Sequence, residues 1–364
     1  MLFLVLLLNL FLTVALSFFL GAVGSFFTFF CSVFVLFFAL IILNLEILSL
    51  FSAITSNNIF ILTLVETLIT AFILFKNKNK LQSDFPFNFN LKSTKPLLNA
   101  FKLDKSLIVL SFGFLILIST TLFLALVMPA LEPDSQTYHF IRAVEFIEQK
   151  NFSHIITGDI RALIMPINSE IFYSFLFAFK KNFYGYGILS FFSFLTIVFA
   201  NIGILLNFKF SIRKTLWAVF LFSSLSAVIV QIPSLQTDIV VGGLYSAALL
   251  FFLESLKNEK QNSKMPKMIF LSSLATAIAF GVKSTGIIIF PAFLFLILGI
   301  TFLIKKEKNF NNIITFIKFL AINFLIFSSY NYILNFIDFH SPFSNRAAYL
   351  GHRFWGGYKG FISN

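Results

Sequence analysis

The sequence predicts an all-α membrane protein, a polytopic transmembrane helical bundle of about ten spans. The chain is 58% hydrophobic and only 12% charged, and its apolar runs are as long as a spanning helix requires. About 20 apolar residues are enough for a helix to cross the hydrocarbon core of a bilayer. Because no water reaches that core, the backbone must form its own hydrogen bonds, and a helix does so within one segment.

Ten segments have the length and apolar character of a spanning helix. They are residues 2–20, 23–44, 59–75, 107–128, 184–207, 215–231, 239–256, 268–282, 286–304 and 316–336. The division within residues 2–44 depends on Gly21 and Gly24 alone, because no charge marks a turn there. The N-terminus lacks a basic region and a clear cleavage site, so it is interpreted as the first span rather than a signal peptide.

The basic residues predict the orientation of the bundle. Seventeen of the 27 lysines and arginines lie in residues 76–106, 208–214, 257–267 and 305–314. The positive-inside rule places these segments in the cytoplasm, where anionic lipid headgroups are their expected partners. This accounts for the net charge of +12 without nucleic acid. Residues 129–183, 232–238, 283–285 and 337–364 then lie on the extracytoplasmic face.

The same pattern divides the chain into four parts. Residues 1–75 form a three-helix block, 76–106 a basic cytoplasmic linker, 107–345 the main module with its outer loop 129–183, and 346–364 an aromatic and glycine-rich tail. Residues 163–179 are apolar enough for another span, but a crossing there would move two basic loops outside. We therefore expect an interfacial or half-inserted helix at 163–179.

Three polar clusters fall on the predicted outer face. They are the segment from Glu132 and Asp134 to Tyr138 and His139, then Gln236-Thr237-Asp238, and then Lys283-Ser284-Thr285. Glu132 or Asp134 could act as a general base, and the two together could share a divalent cation. Alternatively, Asp134 or Ser135 caps a helix that starts near residue 136.

The helix predicted over residues 136–149 is amphipathic, with an apolar face suited to lipid. Its Arg142 could bind a phosphate bidentately or could pair with Glu145 or Glu148. Lys283 is an unexpected cation on the outer face. It suits a lipid-linked phosphate, although a lysine can also extend to lipid headgroups.

The remaining polar residues carry weaker signals. Asp238 could be the N-cap of the span that follows it. The four histidines match no helical metal motif, and the single Cys31 excludes a disulfide framework.

The order of these motifs resembles that of GT-C glycosyltransferases, and among them the protein O-mannosyltransferase-like group of bacterial membrane enzymes. The resemblance covers about residues 107–345 and begins with Pro-Asp-Ser-x-x-Tyr-His-x-x-Arg at 133–142. A Pro…Glu segment (Pro166 and Glu170) follows, and then Gln-Thr-Asp at 236–238 and Gly-Val-Lys-Ser-Thr at 281–285. Departures are the three additional spans in residues 1–75, before the span that leads into the first motif, and Glu-Pro-Asp in place of Asp-x-Asp.

The resemblance implies a GT-C-like fold and inverting transfer of a sugar from a polyprenyl-phosphate donor to an extracytoplasmic lipid, glycan or protein. It implies a bacterial plasma-membrane enzyme and identifies no certain cofactor. Whether the enzyme binds a divalent cation is left open by the resemblance. The resemblance implies that Asp134 and Glu132 are catalytic and that Lys283 and Arg142 bind the donor phosphate. The residues that it implies for substrate binding are Tyr138, His139, Glu170, Gln236 and Asp238. The alternatives are a transporter or flippase of a lipid-linked glycan, or an inactive homologue truncated at Asn364.

Overall fold

The computed structural model describes residues 1–76, 105–129, 132–257, 265–304 and 310–343. These ranges are mostly helical, and an isolated antiparallel bridge joins Pro129 to Tyr184. The helices are α1 (Leu2–Phe19), α2 (Phe26–Leu50), α3 (Ser56–Lys76), α4 (Lys105–Val127), α5 (Phe140–Glu148), α6 (Arg161–Ile164), α7 (Asn168–Phe179), α8 (Ile188–Asn207), α9 (Ile212–Ser223), α10 (Ser226–Ile229), α11 (Asp238–Lys257), α12 (Met265–Val282), α13 (Ser284–Gly299), α14 (Asn311–Phe327) and α15 (Ser329–Phe339). The predicted all-α polytopic bundle is confirmed.

Eight helices in the described ranges are long and apolar enough to cross a membrane, or up to nine if the bent pair α14–α15 forms one span. The predicted turn between the first two spans is confirmed. Gly21 has a left-handed backbone (φ 71°) and leads into a short 3₁₀ turn, Ala22–Gly24. The Ser25 side chain then caps α2 by accepting a hydrogen bond from the Thr28 backbone N–H.

The prediction of a single helical span at residues 215–231 is wrong, because α9 has 12 residues and α10 only four. A 12-residue helix is about 18 Å long, shorter than the hydrocarbon core. The chain nevertheless returns from one end of the bundle to the other in this region. Ser190 at the start of α8 donates to the Ser234 carbonyl (2.9 Å), and Asn207 at its end donates to Glu254 (3.0 Å). The helices α8 and α11 are therefore parallel, and residues 208–237 cross between their ends as a broken element.

The predicted span at residues 316–336 is also interrupted. The axes of α14 and α15 differ by 64° across Ser328, so α15 does not continue the direction of α14. Asn331 and Asn335 on its buried face donate to the Ile164 carbonyl (3.2 and 3.0 Å). The opposite face of α15 exposes the apolar side chains Ile333, Phe336 and Ile337.

Residues 163–179 form no helix long enough to span, and the predicted interfacial or half-inserted position of α7 stays a prediction. Residues 168–176 of α7 are all buried, and α7 packs against α2, α5 and α12 inside the protein. The apolar face predicted for residues 136–149 also packs against protein rather than lipid. Phe140 lies edge-on to Phe177 of α7, with ring centroids 5.7 Å apart.

Contacts between distant segments define the two ends of the bundle. At the first end the Ile54 N–H donates to the Lys150 carbonyl (3.2 Å), and the Tyr173 hydroxyl donates to the Leu235 carbonyl (3.3 Å). We call this the outer end; it comprises residues 50–55, 132–187, 232–238 and 283, together with α15. At the opposite, basic end, Lys267 donates to the Phe19 carbonyl (2.8 Å). The three predicted polar clusters thus lie at one end, while the assignment of that end to the extracytoplasmic side stays a prediction.

Candidate functional site

The outer end contains a buried triad of hydrogen-bonded side chains, Glu170, Arg142 and His139. Glu170 lies in the first turn of α7, and its Oε1 accepts a hydrogen bond from Arg142 Nη1 at 3.2 Å. His139 Nδ1 lies 2.9 Å from the same oxygen. Arg142 Nη2 also donates to the Met165 carbonyl (2.8 Å). The triad ties the first outer segment to α7 and to the residue before Pro166.

Electrostatics keep the Glu170–Arg142 pair charged in spite of its burial. Burial alone would raise the pKa of Glu170, but the charges of Arg142 and His139 outweigh it and hold that pKa below its ordinary value. Burial lowers the pKa of the Arg142 guanidinium, and the Glu170 carboxylate partly offsets this effect. Each charge of the pair is therefore stabilised chiefly by its partner.

The position of Arg142 corrects one prediction. Its side chain is 1% exposed and bonded to Glu170, so the predicted alternative of a solvated pair with Glu145 or Glu148 is wrong. The same burial argues against the predicted contact of Arg142 with a donor phosphate. Tyr138 and His139 are buried beside it. The contacts with substrate that were predicted for Tyr138, His139 and Glu170 stay predictions.

Asp134 is half-exposed and forms an ion pair that sequence reasoning missed. Its Oδ1 accepts a hydrogen bond from Arg161 Nη1 at 2.7 Å, and the two side chains are 45% and 38% exposed. Arg161 opens α6 and is also held by Asp159, to which its Nη2 donates at 2.8 Å. Lys283 was singled out because a cation on the outer face is unexpected under the positive-inside rule, and the same is true of Arg161. This argument could therefore have identified Arg161 from the sequence.

The segment around Asp134 begins as a π-helical turn, Ser135–His139, and continues into α5. Such turns are frequent at functional sites. The predicted cap is wrong, since Asp134 makes no capping hydrogen bond. Ser135 instead donates to Glu132 Oε2 at 2.5 Å. Glu132 and Asp134 thus have separate partners, and no group of three or more His, Cys, Asp or Glu in the described parts of the chain is arranged to hold a metal.

The second and third polar clusters meet in another ion pair. Lys283 has an extended backbone and is the residue that joins α12 to α13. Its Nζ donates to Asp238 Oδ1 at 2.8 Å. Asp238 is the first residue of α11 and is more exposed than Lys283. Gln236 is half-buried two residues earlier, and its backbone N–H donates to Ser234 Oγ. Lys283 therefore has a protein partner, unlike a lysine that only reaches toward headgroups.

A row of aromatic contacts connects the two ion pairs. The Arg161 guanidinium lies over the Tyr138 ring, 4.7 Å from its centroid. The rings of Tyr138 and His139 are 4.0 Å apart, and those of His139 and Tyr173 are 6.4 Å apart. Tyr173 in turn donates to the carbonyl of Leu235, just before the Asp238 cluster. In this series of contacts, His139 of the buried triad lies between the Asp134–Arg161 pair and the segment that leads to Asp238.

What this arrangement can do chemically follows from its charges. Each exposed pair offers a carboxylate, which can accept a proton, and a cation, which can bind an anion. No family model, curated protein or solved structure matches this chain.

Proposed function

We propose that the protein is a membrane glycosyltransferase that moves a sugar from a polyprenyl-phosphate donor to an acceptor on the extracytoplasmic side of the membrane. One observation carries the proposal. Two exposed carboxylate–cation pairs, Asp134–Arg161 and Asp238–Lys283, lie at the same end of a bundle of membrane-spanning helices. The motif resemblance to GT-C enzymes supports the same function.

The lipid part of the donor accounts for the architecture. A polyprenyl tail is soluble only in the bilayer, so an enzyme that uses it must meet it there, while its phosphate stays at headgroup depth. Lys283 lies where two spanning helices meet at the outer end, which is the depth that such a phosphate occupies. We assign Lys283 to the donor phosphate.

Asp134 is the proposed base. It accepts the proton of the acceptor hydroxyl or amine as that atom attacks the anomeric carbon of the sugar. The bond from the anomeric carbon to the acceptor forms while the bond to the phosphate oxygen breaks, and the electron pair stays on the phosphate. Fixed cations stabilise the negative charge that develops there. One displacement of this kind inverts the anomeric centre and needs no covalent enzyme intermediate.

The buried triad has a positioning role in this scheme. Asp134 belongs to the segment that Arg142 and His139 anchor to Glu170 of α7. A base must lie within hydrogen-bonding reach of the proton it abstracts, so its supporting segment has to be held firmly. The predicted roles of Gln236 and Asp238 in binding acceptor or sugar belong to the same proposal.

The test compares membranes from cells that carry the wild-type chain, Asp134→Asn or an empty vector, with the two proteins at matched levels. Polyprenyl-phosphate sugars and surface glycolipids and glycoproteins are quantified by mass spectrometry. We expect the wild type to add a sugar that the variant does not add, with unspent donor accumulating in the variant. Equal glycan profiles in wild type and variant, both different from the empty vector, would remove Asp134 from the mechanism.

A further inference from the structure

We infer that Arg161 binds the phosphate of the lipid-linked donor, and that its ion pair with Asp134 covers the base until the phosphate arrives. The inference rests on the proposed function and names a residue and a form of regulation that the motif resemblance does not supply. It is carried by the arrangement of hydrogen bonds around one guanidinium group.

The guanidinium of Arg161 has five N–H donors, and its neighbours use them unequally. The Nε–H and one Nη2 hydrogen are directed to the Asp159 carboxylate, with nitrogen-to-oxygen distances of 2.8–3.2 Å. The second Nη2 hydrogen is directed to the Thr137 hydroxyl (3.0 Å). Nη1 donates to Asp134, which leaves one Nη1 hydrogen without a partner among the described residues.

Asp159 and the Tyr138 ring hold the Arg161 guanidinium in place, whereas Asp134 can be exchanged for another anion. Asp159 lies two residues before Arg161 and binds it through both oxygens, while the Tyr138 ring supports the guanidinium plane from below. Asp134 makes a single contact, from a half-exposed side chain. An exposed ion pair of that kind is weak, because water solvates both charges well when they separate. The Nη1 edge can therefore exchange Asp134 for another anion while the guanidinium stays fixed.

A phosphate monoester or diester is the anion best matched to this edge. Nη1 carries two N–H donors, one directed to Asp134 and one without a partner among the described residues, and both can be directed to phosphate oxygens. Charge-assisted hydrogen bonds of this kind are stronger than ordinary hydrogen bonds. Arg142 cannot offer the same edge, because it is buried against Glu170. We therefore assign to Arg161 the phosphate-binding role that the motif resemblance implied for Arg142.

Competition for Nη1 couples binding to catalysis. With no donor bound, Asp134 Oδ1 accepts from Arg161 and is directed toward that guanidinium. A phosphate that takes both Nη1 hydrogens displaces Asp134. The released carboxylate can then turn to the acceptor, on the side of the sugar opposite the phosphate.

The test measures binding rather than transfer, so it can succeed or fail independently of the proposed activity. The full chain is purified in detergent, and its affinity for geranylgeranyl phosphate, a short polyprenyl phosphate without a sugar, is measured by fluorescence or calorimetry. Arg161→Gln should weaken binding about 10- to 100-fold, as the loss of a charge-assisted hydrogen bond does. Lys181→Gln, which removes a positive charge from the same end of the bundle, is the control and should change the affinity less than about twofold.

The direction in which Asp134→Asn changes the affinity for geranylgeranyl phosphate decides between a competing and a purely structural ion pair. If Asp134 competes with the phosphate for Arg161, removing its charge should strengthen binding, by about 3- to 10-fold. A purely structural ion pair predicts unchanged or weaker binding in Asp134→Asn, and that result would overturn the inference even if Arg161→Gln failed to fold. Equal affinities of Arg161→Gln and Lys181→Gln would overturn it as well. Normal phosphate binding with the expected signs but no sugar transfer would instead refute the proposed function alone.

Discussion

Glu170 is the residue on which the outer end depends most, because its carboxylate is the partner of two buried side chains, the Arg142 guanidinium and the His139 imidazole. Replacement of one member of a buried ion pair leaves the other charge uncompensated, which typically costs about 3–5 kcal/mol. We therefore expect Glu170→Gln to lower the free energy of unfolding by about this amount. Glu145→Gln, on the exposed face of α5, should change it by less than about 0.5 kcal/mol. Denaturant unfolding of the two purified variants checks this, and equal stabilities would contradict the structural role of the triad.

The same carboxylate predicts how stability depends on pH. The pKa of Glu170 is held below 4.5, its ordinary value, so its ionised form is favoured in the folded state. The stabilisation is complete above the unfolded pKa and is lost as the pH falls through the lowered folded pKa. Below pH 4.5 the melting temperature of the wild type should therefore fall more steeply with decreasing pH than that of Glu170→Gln. Parallel curves for the two proteins would show that Glu170 does not carry this linkage.

At the residue scale the sequence predicted which side chains are present at the outer end, but not their partners. Asp134, Asp238 and Lys283 were identified from their positions between spans, and Asp238 and Lys283 proved to be paired with each other. Arg142 was expected at a surface, because an amphipathic pattern does not distinguish a lipid neighbour from a protein neighbour. The partner of Asp134 lies 27 residues away, at a separation that no local pattern reports.

At the scale of helices, close packing between α7 and α12 positions the segment that bears Glu170. Gly281 near the end of α12 faces Asn168, and a Cβ at Gly281 would overlap the Asn168 side-chain amide. That amide also donates to the Phe327 carbonyl at 2.8 Å, so it links α7 to the end of α14.

We expect Gly281→Ala to destabilise the protein by about 1–3 kcal/mol, as overpacking of a core commonly does. Gly299→Ala is the matched control, since nothing lies within 4 Å of the Cβ it would add. In the control we expect a change of at most about 1 kcal/mol, in the stabilising direction, because alanine favours helix over glycine. Thermal unfolding in detergent compares the two, and a fully stable Gly281→Ala would show that this helix contact is looser than the structure indicates.

The elements themselves could be predicted to the extent that composition determines them. Long apolar runs such as residues 2–20 and 107–128 became continuous helices, because a bilayer-length run has no alternative way to satisfy its backbone. Residues 215–231 and 316–336 are also long and apolar enough to be predicted as spans, yet each is broken, at Leu225 and at Ser328. Hydropathy does not report such breaks, since they depend on backbone direction and on the packing of neighbouring helices. The burial of α7 inside the protein depends on the same tertiary contacts.

For the whole molecule, the structure fixes which loops share an end, and the basic residues predict the side of the membrane on which each end lies. A labelling experiment tests the prediction. In a Cys31→Ser background, Ser153→Cys at the outer end should react with an impermeant maleimide added to intact cells. Lys214→Cys at the basic end should react only after permeabilisation. The reverse pattern would invert the bundle and place the candidate site in the cytoplasm.

The whole molecule combines a helical membrane bundle, a buried triad that anchors one outer segment, and two partly exposed ion pairs. The triad is structural, while the ion pairs carry the proposed chemistry. Because the triad and the ion pairs have different roles, we expect variants of Asp134 to lose activity without losing stability. Loss of an exposed ion pair typically costs only about 0–1 kcal/mol, in contrast to the loss expected for Glu170→Gln.

The most direct test is sugar transfer by the purified chain in nanodiscs, which have no lumen and so give no signal from transport. Wild type and Asp134→Asn are supplied with a mixture of polyprenyl-phosphate sugars and membrane acceptors, and mass spectrometry follows donor loss and product gain. The account predicts donor-dependent product with the wild type and a loss of about 100-fold or more with Asp134→Asn, as expected for removal of a general base. Equal product with both proteins, or flipping of the donor in sealed vesicles without any transfer, would contradict it.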